Sequence, residues 1–396
     1  MRIYGSKELV EDVAKRDLCI GCGMCVNICP YFKTYKGKSA MLFPCTLEQG
    51  RCNAHCPKTE VDLEALSRFF WHEPYAGSPL GHFKRLVAAR AGERISGSFQ
   101  GGGSVSALIA YALKSKMIEG AVLTGAEGIE PAARLVTDPE QVAACAGSKF
   151  IAAPTLAALN QAAREGMRRL AVVGTPCQMT AVAQMRMNPL ERDDFQDPVA
   201  LTQMRMNPLE RDDFQDPVAL TVGVFCNWAL DHRQLTAYLS ERMDIAEITG
   251  MDIPPPPAEV LVVKTRDGEQ HFPLKEIRRL IPHTCFICPD MTAEWSDVSV
   301  GMYEGRPGWN TLLVRTRTGA ELVDKAVADG WIVTEEFPKE NEQALSRAAL
   351  AKKERSLRNA DRHGYLRRGD ADCRPALRVP PEVLARLLGA AAEAVE

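Results

Sequence analysis

Thirteen cysteines stand in this 396-residue chain, and their spacing is what could do chemistry. The run Cys19-x2-Cys22-x2-Cys25-x3-Cys29-Pro30 offers three thiolates at the spacing that wraps three corners of a cubane iron–sulfur cluster. The fourth, before proline, commonly serves a neighbouring cluster. A structural zinc site normally uses two C-x2-C pairs held well apart to complete a tetrahedron, so the run reads as iron–sulfur. The next segment, Cys45-x6-Cys52-x3-Cys56-Pro57, ends like a second ferredoxin motif but lacks that motif's second cysteine. Cross-ligation assigns Cys19, Cys22, Cys25 and Cys56 to one cluster and leaves Cys29, Cys45 and Cys52 for another. Without a fourth cysteine, that second set allows a three-iron cluster, an oxygen ligand, His55, or no cluster at all. Histidine ligation of such clusters is uncommon, so His55 reads as a bystander.

Two more cysteines follow strand-like runs: Cys177 in LAVVGTPCQ and Cys226 in TVGVFCNW. Strand ends are where α/β sheets place functional groups. Cys285 and Cys288 form a C-x2-C pair before Pro289. Spacing alone suits these four to an iron–sulfur cluster or to zinc equally. Cys145 and Cys373 have no such company and read as incidental thiols. The turn Gly101-Gly102-Gly103-Ser104 opens the helical segment Val105 to Lys114. Amides at a helix N-terminus approached through glycines can bind a phosphate, although a plain tight turn explains the glycines as well. Gly147-Ser148-Lys149 adds a second small turn with a cation.

Several elements must position these groups. A cysteine-dense module (1–60) is followed by a linker (61–79) that opens with the helical pattern VDLEALSRFF. From Arg85, short apolar runs (RLVAAR, AVLTG, LAVVG, ALTVGVF) alternate with helical ones (SVSALIAYALKS, TLAALNQAAREG, DHRQLTAYLSERM), the rhythm of an α/β sheet domain spanning 80–338. EVLVVKTR, TLLVRTR and WIVTEEF read as further strands, and ELVDKAVADG as a helix. Residues 339–396 turn helical and basic. There Lys352, Lys353, Arg355, Arg358, Arg362, Arg367 and Arg368 read as a solvated helix face, with a docking surface as the other reading. The segment QMRMNPLERDDFQDPVALT occurs twice in tandem, Gln184 to Thr202 and Gln203 to Thr221, without a difference. Two units are too few for a solenoid. One copy therefore reads as an extra surface loop, which a fold tolerates because doubling a loop costs only about 0.6 kcal/mol.

Composition narrows the function class. With 46% hydrophobic and 25% charged residues the chain is globular, not disordered, collagen-like or a coiled coil. Its 48 Lys plus Arg against 51 Asp plus Glu, net charge −3, give no general attraction for nucleic acid. The first residues, MRIYGSKELVEDVAKRD, lack the apolar core of a secretory signal, so a cytoplasmic location is expected. The longest nearly apolar stretch, around Val218 to Val224, is far short of the roughly 18 residues that cross a bilayer, so no direct membrane insertion is expected. In a reducing compartment, thirteen cysteines suggest metal chemistry before disulfides.

In this order, GGGSVSALIAYAL, AGSKF, VGTPCQ, GVFCNW and TCFICPDMTAEWSDVSVGMYEGRPGWNTLLVRT resemble the family of β-subunits of coenzyme F420-reducing hydrogenase and dehydrogenase, over about Leu80 to Arg368. The resemblance implies an FAD-binding α/β domain with a mixed sheet, preceded here by a small α+β ferredoxin-like iron–sulfur module. It places the domain's cluster on Cys177, Cys226, Cys285 and Cys288. It also places Gly101, Gly102, Gly103, Ser104, Gly147, Ser148, Lys149 and Gly301 around the flavin. Removing one repeat copy would shorten the Cys177–Cys226 gap from 48 residues to 29, about the family's spacing. The implied activity is hydride exchange between coenzyme F420 and FAD, with single electrons passing through two or three 4Fe-4S clusters. No acid or base residue is assigned to hydride transfer. The implied partners are other redox subunits: a hydrogenase, a formate dehydrogenase, a heterodisulfide-reductase-like protein or a membrane complex. Two other readings stay open: the same fold with another donor or acceptor, such as ferredoxin or a partner's flavin, and a zinc-stabilised adaptor without redox activity.

Overall fold

The computed structural model describes residues 3–97, 99–188, 215–254, 257–367 and 376–389. Its largest element is an eight-stranded sheet. The strands are β1 (Arg85–Ala91), β2 (Gly120–Glu127), β3 (Glu130–Val136), β4 (Leu170–Gly174), β5 (Val218–Val224), β6 (Val298–Met302), β7 (Asn310–Val314) and β8 (Ile332–Glu336), in the spatial order β8-β1-β7-β6-β5-β4-β2-β3. The four central strands β6, β5, β4 and β2 run parallel. Flanking strands pair antiparallel on both sides, so the sheet is mixed, as expected.

Strand alternation splits the apolar side chains between two cores. On β4, Leu170 and Val172 face one core and Ala171 the other. The second core is covered by helices α2 (Ser104–Lys114) and α5 (Arg317–Ala328). The first is covered by α3 (Thr155–Arg164) and α4 (Pro176–Met187), and the N-terminal residues Leu18, Met24, Val26 and Phe32 pack into the same cluster. The cysteine-dense module is thus docked on one sheet face, sharing its core. A smaller antiparallel sheet, Ile248–Asp252, Val260–Thr265 and Glu269–Pro273, has its own apolar cluster.

Two strands of the eight-stranded sheet escaped the sequence reading. EPAARLV (β3) carries Pro131 and two charged residues, but it is an edge strand, where a proline need not donate to a neighbour. VSVGM (β6) looks too polar, yet four of its five residues are buried between two partners. The linker differs from its expected helix at its start. Val61–Asp62 form a strand that pairs with Leu377–Arg378, and helix α1 (Leu63–Trp71) begins after Asp62, whose carboxylate caps the Ala65 amide at 3.0 Å.

The basic C-terminal helix α6 (Lys339–Arg362) corrects another expectation. Arg355, Arg358 and Arg362 are exposed, but Lys352 and Lys353 are buried in the molecule rather than on a solvated face. They fall on the same stripe as Ala349, Ser356, Leu357 and Ala360, and each finds polar partners there. Arg368 lies outside the described residues. So does most of the tandem repeat. The first copy's start, Gln184 to Met187, ends α4, and the second copy's end, Val218 to Thr221, begins β5. The expected loop falls in 189–214, outside the described residues.

Candidate functional site

The N-terminal thiols are held by a tight loop against α3. Gly23 adopts φ +83°, and a Cβ there would come within 2.7 Å of the Pro154 carbonyl and 2.8 Å of the Ala157 amide. Only glycine lets the loop approach the helix start this closely. The Leu156 amide donates to the Cys22 carbonyl at 3.0 Å. Asn160, buried on α3, donates to the Met24 and Val26 carbonyls at 2.8 and 2.7 Å, and Asn27 returns a bond to the Ala157 carbonyl at 3.0 Å. The Ser39 amide points at the Cys19 sulfur, 3.5 Å away.

Cys22, Cys25 and Cys56 lie within electrostatic reach of one another, and Cys19 within reach of Cys25 and Cys56. Burial, then Cys56, pushes the Cys22 thiol well up. Burial raises Cys25 too, with Cys19 and Cys56 adding repulsion and Ser39 opposing. Cys56 is pushed up to about 12, by burial first. Cys29, Cys45 and Cys52 form a second group: burial raises Cys29 and Cys52, and Cys45 adds to both. His55 does not join them. It is buried, donates through Nε2 to the Asn188 carbonyl at 3.1 Å, and is pushed down to about 3 by burial and by Arg51, which keeps it neutral.

Four further thiols, Cys177, Cys226, Cys285 and Cys288, meet at the C-terminal edge of the parallel strands. Cys177 sits in the first turn of α4, with its sulfur 3.2 Å from the Thr175 hydroxyl, where the chain leaves β4. Cys226 follows β5, and its amide donates to the Met291 carbonyl at 2.9 Å. Cys285 and Cys288 lie at the end of the short helix His283–Phe286, and the Ala229 amide points at the Cys285 sulfur at 3.5 Å. Burial pushes Cys177 up to about 11, with Cys288 adding to it. Burial also raises Cys226 and Cys285; Lys352 opposes it at Cys226 and the Ala229 amide at Cys285.

Four half-buried thiols that repel one another are stable as thiolates only around a strongly positive group. Among the described residues, no three Cys, His, Asp or Glu side chains gather tightly enough around one point to share a single metal ion. Zinc draws all its ligands to about 2.0–2.3 Å from one centre. A cubane spreads its four thiolates over separate iron corners. The three sets also form a row: Cys25 adds to the repulsion on Cys52, and Cys177 to that on Cys22.

The glycine-rich segments converge beside the sheet. Asn310, at the start of β7, accepts from the Ser104 amide through Oδ1 at 3.2 Å and donates through Nδ2 to the Gly301 carbonyl at 3.2 Å. Gln100 accepts from the Ser148 amide at 2.7 Å, which joins the Gly101–Ser104 turn to the Gly147–Lys149 turn. A Cβ at Gly102 would meet Asn310 Oδ1 at 2.7 Å, and one at Gly301 would enter the Phe225 ring. These two glycines therefore admit protein atoms, and Gly301 acts through its carbonyl. One feature still fits an anionic ligand: the Ser104 hydroxyl, at the N-terminus of α2, is wholly buried with no hydrogen-bond partner among the described residues. Gly147 faces open space. Lys149 is half-buried and donates to the Ala146 carbonyl at 2.9 Å.

Three contributors were missed in the sequence: Asn160, Asn310 and Lys352. Lys352 donates to the Cys226 carbonyl at 2.6 Å and the Asp290 carbonyl at 2.7 Å. Its position on the periodic buried stripe of α6 was the available signal. Cys145 stands apart from the three thiol sets, and Cys373 lies outside the described residues.

Comparison with known proteins bears on the main-domain set and on Cys19 to Cys29. Residues 86–160 match the N-terminal part, and residues 167–340 the C-terminal part, of the family described as coenzyme F420 hydrogenase/dehydrogenase, beta subunit. Residues 14–31 match a 4Fe-4S binding domain. The chain is 30% identical over 288 residues to the coenzyme F420 hydrogenase subunit beta of Methanothermobacter thermautotrophicus, covering 71% of this chain and 95% of that one. It is 26% identical over 334 residues to one of the F(420)H(2) dehydrogenase subunits of Methanosarcina mazei, covering 80% and 84%. A chain of the F420-reducing [NiFe] hydrogenase complex from Methanosarcina barkeri superposes with a TM-score of 0.60 at 25% identity, covering 72% of this chain and 93% of that one. No described helix is long and apolar enough to cross a membrane. With its docked 4Fe-4S module, the chain belongs to the family of coenzyme F420 hydrogenase/dehydrogenase beta subunits and is an oxidoreductase of that type.

Proposed function

We propose that this chain exchanges a hydride between coenzyme F420 and FAD and passes single electrons through its cysteine-held clusters to a partner redox subunit. The observation that carries this is the row of three thiol sets, which runs from the sheet edge at Cys177, Cys226, Cys285 and Cys288 into the N-terminal module. FAD supplies the change from two-electron to one-electron chemistry, and 4Fe-4S clusters supply one-electron carriers. In this reading the Gly101–Ser104 turn and the α2 N-terminus bind the FAD phosphates, with Lys149 adding charge and Asn310 fixing the turn against Gly301. Thr175 orients Cys177, and Lys352 holds the Cys226 loop. The Cys29, Cys45 and Cys52 set would hold a further cluster with three cysteine ligands. Fitting partners are a hydrogenase, a formate dehydrogenase, a heterodisulfide-reductase-like protein or a membrane complex.

The test is to purify the chain anaerobically, measure iron and FAD, and mix it with reduced F420 while following the visible spectrum. The reading expects a brown protein with about eight or more irons and fast bleaching. A brown, FAD-containing protein that does not bleach would point to another donor, and a colourless zinc protein would end the redox reading.

A further inference from the structure

Lys58 follows Cys56 by two residues in the N-terminal module, yet it is buried, with 7% of its surface exposed. Its ammonium donates to the Thr284 carbonyl at 3.1 Å. Thr284 directly precedes Cys285 of the main-domain set. Lys58 thus ties a ligand loop of one thiol set to a ligand loop of the other. It also lines a narrow cavity of about 40 Å³ together with Pro57, Cys177 and Cys288. Its charge is felt on both sides of that cavity: it favours the thiolate at Cys56, and also at Cys177 and Cys285. Lys352 differs, because its bonds go to Cys226 and Asp290 on the main-domain side alone.

We infer that Lys58 is a positioning residue for electron exchange between the two cysteine sets, one fixed positive charge and one hydrogen bond shared by both ligand loops. This rests on the reading that both sets hold iron–sulfur clusters. The exchange moves one electron: one site is oxidised by one, the other is reduced by one, no bond forms or breaks, and no proton is transferred. Each cluster becomes more negative on reduction, so a nearby cation stabilises the reduced form and raises the potential. Because the charge is shared, it raises both potentials together and keeps the two sites close in energy. A lysine beside one cluster alone would pull them apart.

The experiment is an EPR-monitored redox titration of the anaerobically purified full chain, wild type and variants, with iron measured first. Lys58→Gln, which keeps an N–H donor but drops the charge, is expected to lower the midpoints of both clusters. A tenfold loss in each reduction equilibrium is a fall of about 59 mV. Lys58→Arg should stay near wild type. Lys352→Gln should lower the main-domain midpoint alone, and the exposed control Lys275→Gln should move neither. If the glutamine variant does not take up iron, Lys58→Met, with a stem of similar length, makes the same test. Wild-type iron content with both midpoints unmoved, or only one moved, overturns this inference and leaves the proposed function standing. A wild-type chain that takes up no iron overturns the cluster reading and this inference with it.

Discussion

At the scale of single residues, the site is a set of buried groups that are costly alone and stable in company. Cys177 is the clearest case, since burial and its thiol neighbours both work against its charge. Cys177→Ser should remove one cluster, about four irons per chain, while the EPR signal of the N-terminal module persists. Loss of that signal as well would show that the sets do not load independently. Behind the cysteines lies a buried ion pair, Lys353 Nζ to Glu294 Oε1 at 2.5 Å, with the Tyr75 hydroxyl 2.9 Å from the same nitrogen. Burial pushes the Glu294 carboxyl up and Lys353 opposes it. Removing one partner strands the other charge in a dry interior, so Lys353→Met should cost about 3–5 kcal/mol in chemical denaturation. Lys353→Met with Glu294→Leu should recover much of that loss, because neither charge is then left alone. A single variant as stable as wild type would mean that water reaches the pair.

At the scale of elements, the arrangement depends on helix α3, which packs on the sheet and grips the cysteine loop. Asn160 is its main hold, because among the described residues it alone supplies the Met24 and Val26 carbonyls with side-chain donors. Asn160→Ala leaves two buried carbonyls short of a partner, a cost of about 1–3 kcal/mol. The loop it releases carries Cys22 and Cys25. The N-terminal cluster should therefore lose iron to a chelator faster than the main-domain cluster, and equal rates for both would show that Asn160 is not the hold. The N-terminal 4Fe-4S motif was legible in the sequence because its ligand spacing is local chemistry, and the central strands β2, β4 and β5 because buried parallel strands are continuous apolar runs. Asn160, Asn310 and Lys58 were not. Each bonds a segment far along the chain, and one polar residue carries no periodicity to reveal that. Lys352 and Lys353 were misread because charge alone suggests solvent, whereas their register with Ala349 and Leu357 points inward.

At the scale of the whole molecule, sequence distance and spatial distance are decoupled. Residues from Cys19 to Lys353 converge on one face and one edge of a single sheet, and Val61–Asp62 pair with Leu377–Arg378 near the far end of the chain. Topology of this kind needs α4 and β5 to lie side by side, and the tandem repeat runs from the end of one into the start of the other. The two copies are identical, so deleting either gives the same 377-residue chain. In it, QMRMN still follows AVA at the end of α4, and DPVALT still leads into VGV of β5. Every described residue that bonds to the site is then present in its own sequence context. Shortening the connection relieves loop-closure entropy by no more than about 1 kcal/mol. The shortened chain should therefore show unchanged iron content and visible spectrum, and equal or slightly higher resistance to denaturant. Loss of the Cys177 and Cys226 cluster on deletion would mean that the second copy sets the distance between their loops, and the inserted-loop reading would have to be abandoned.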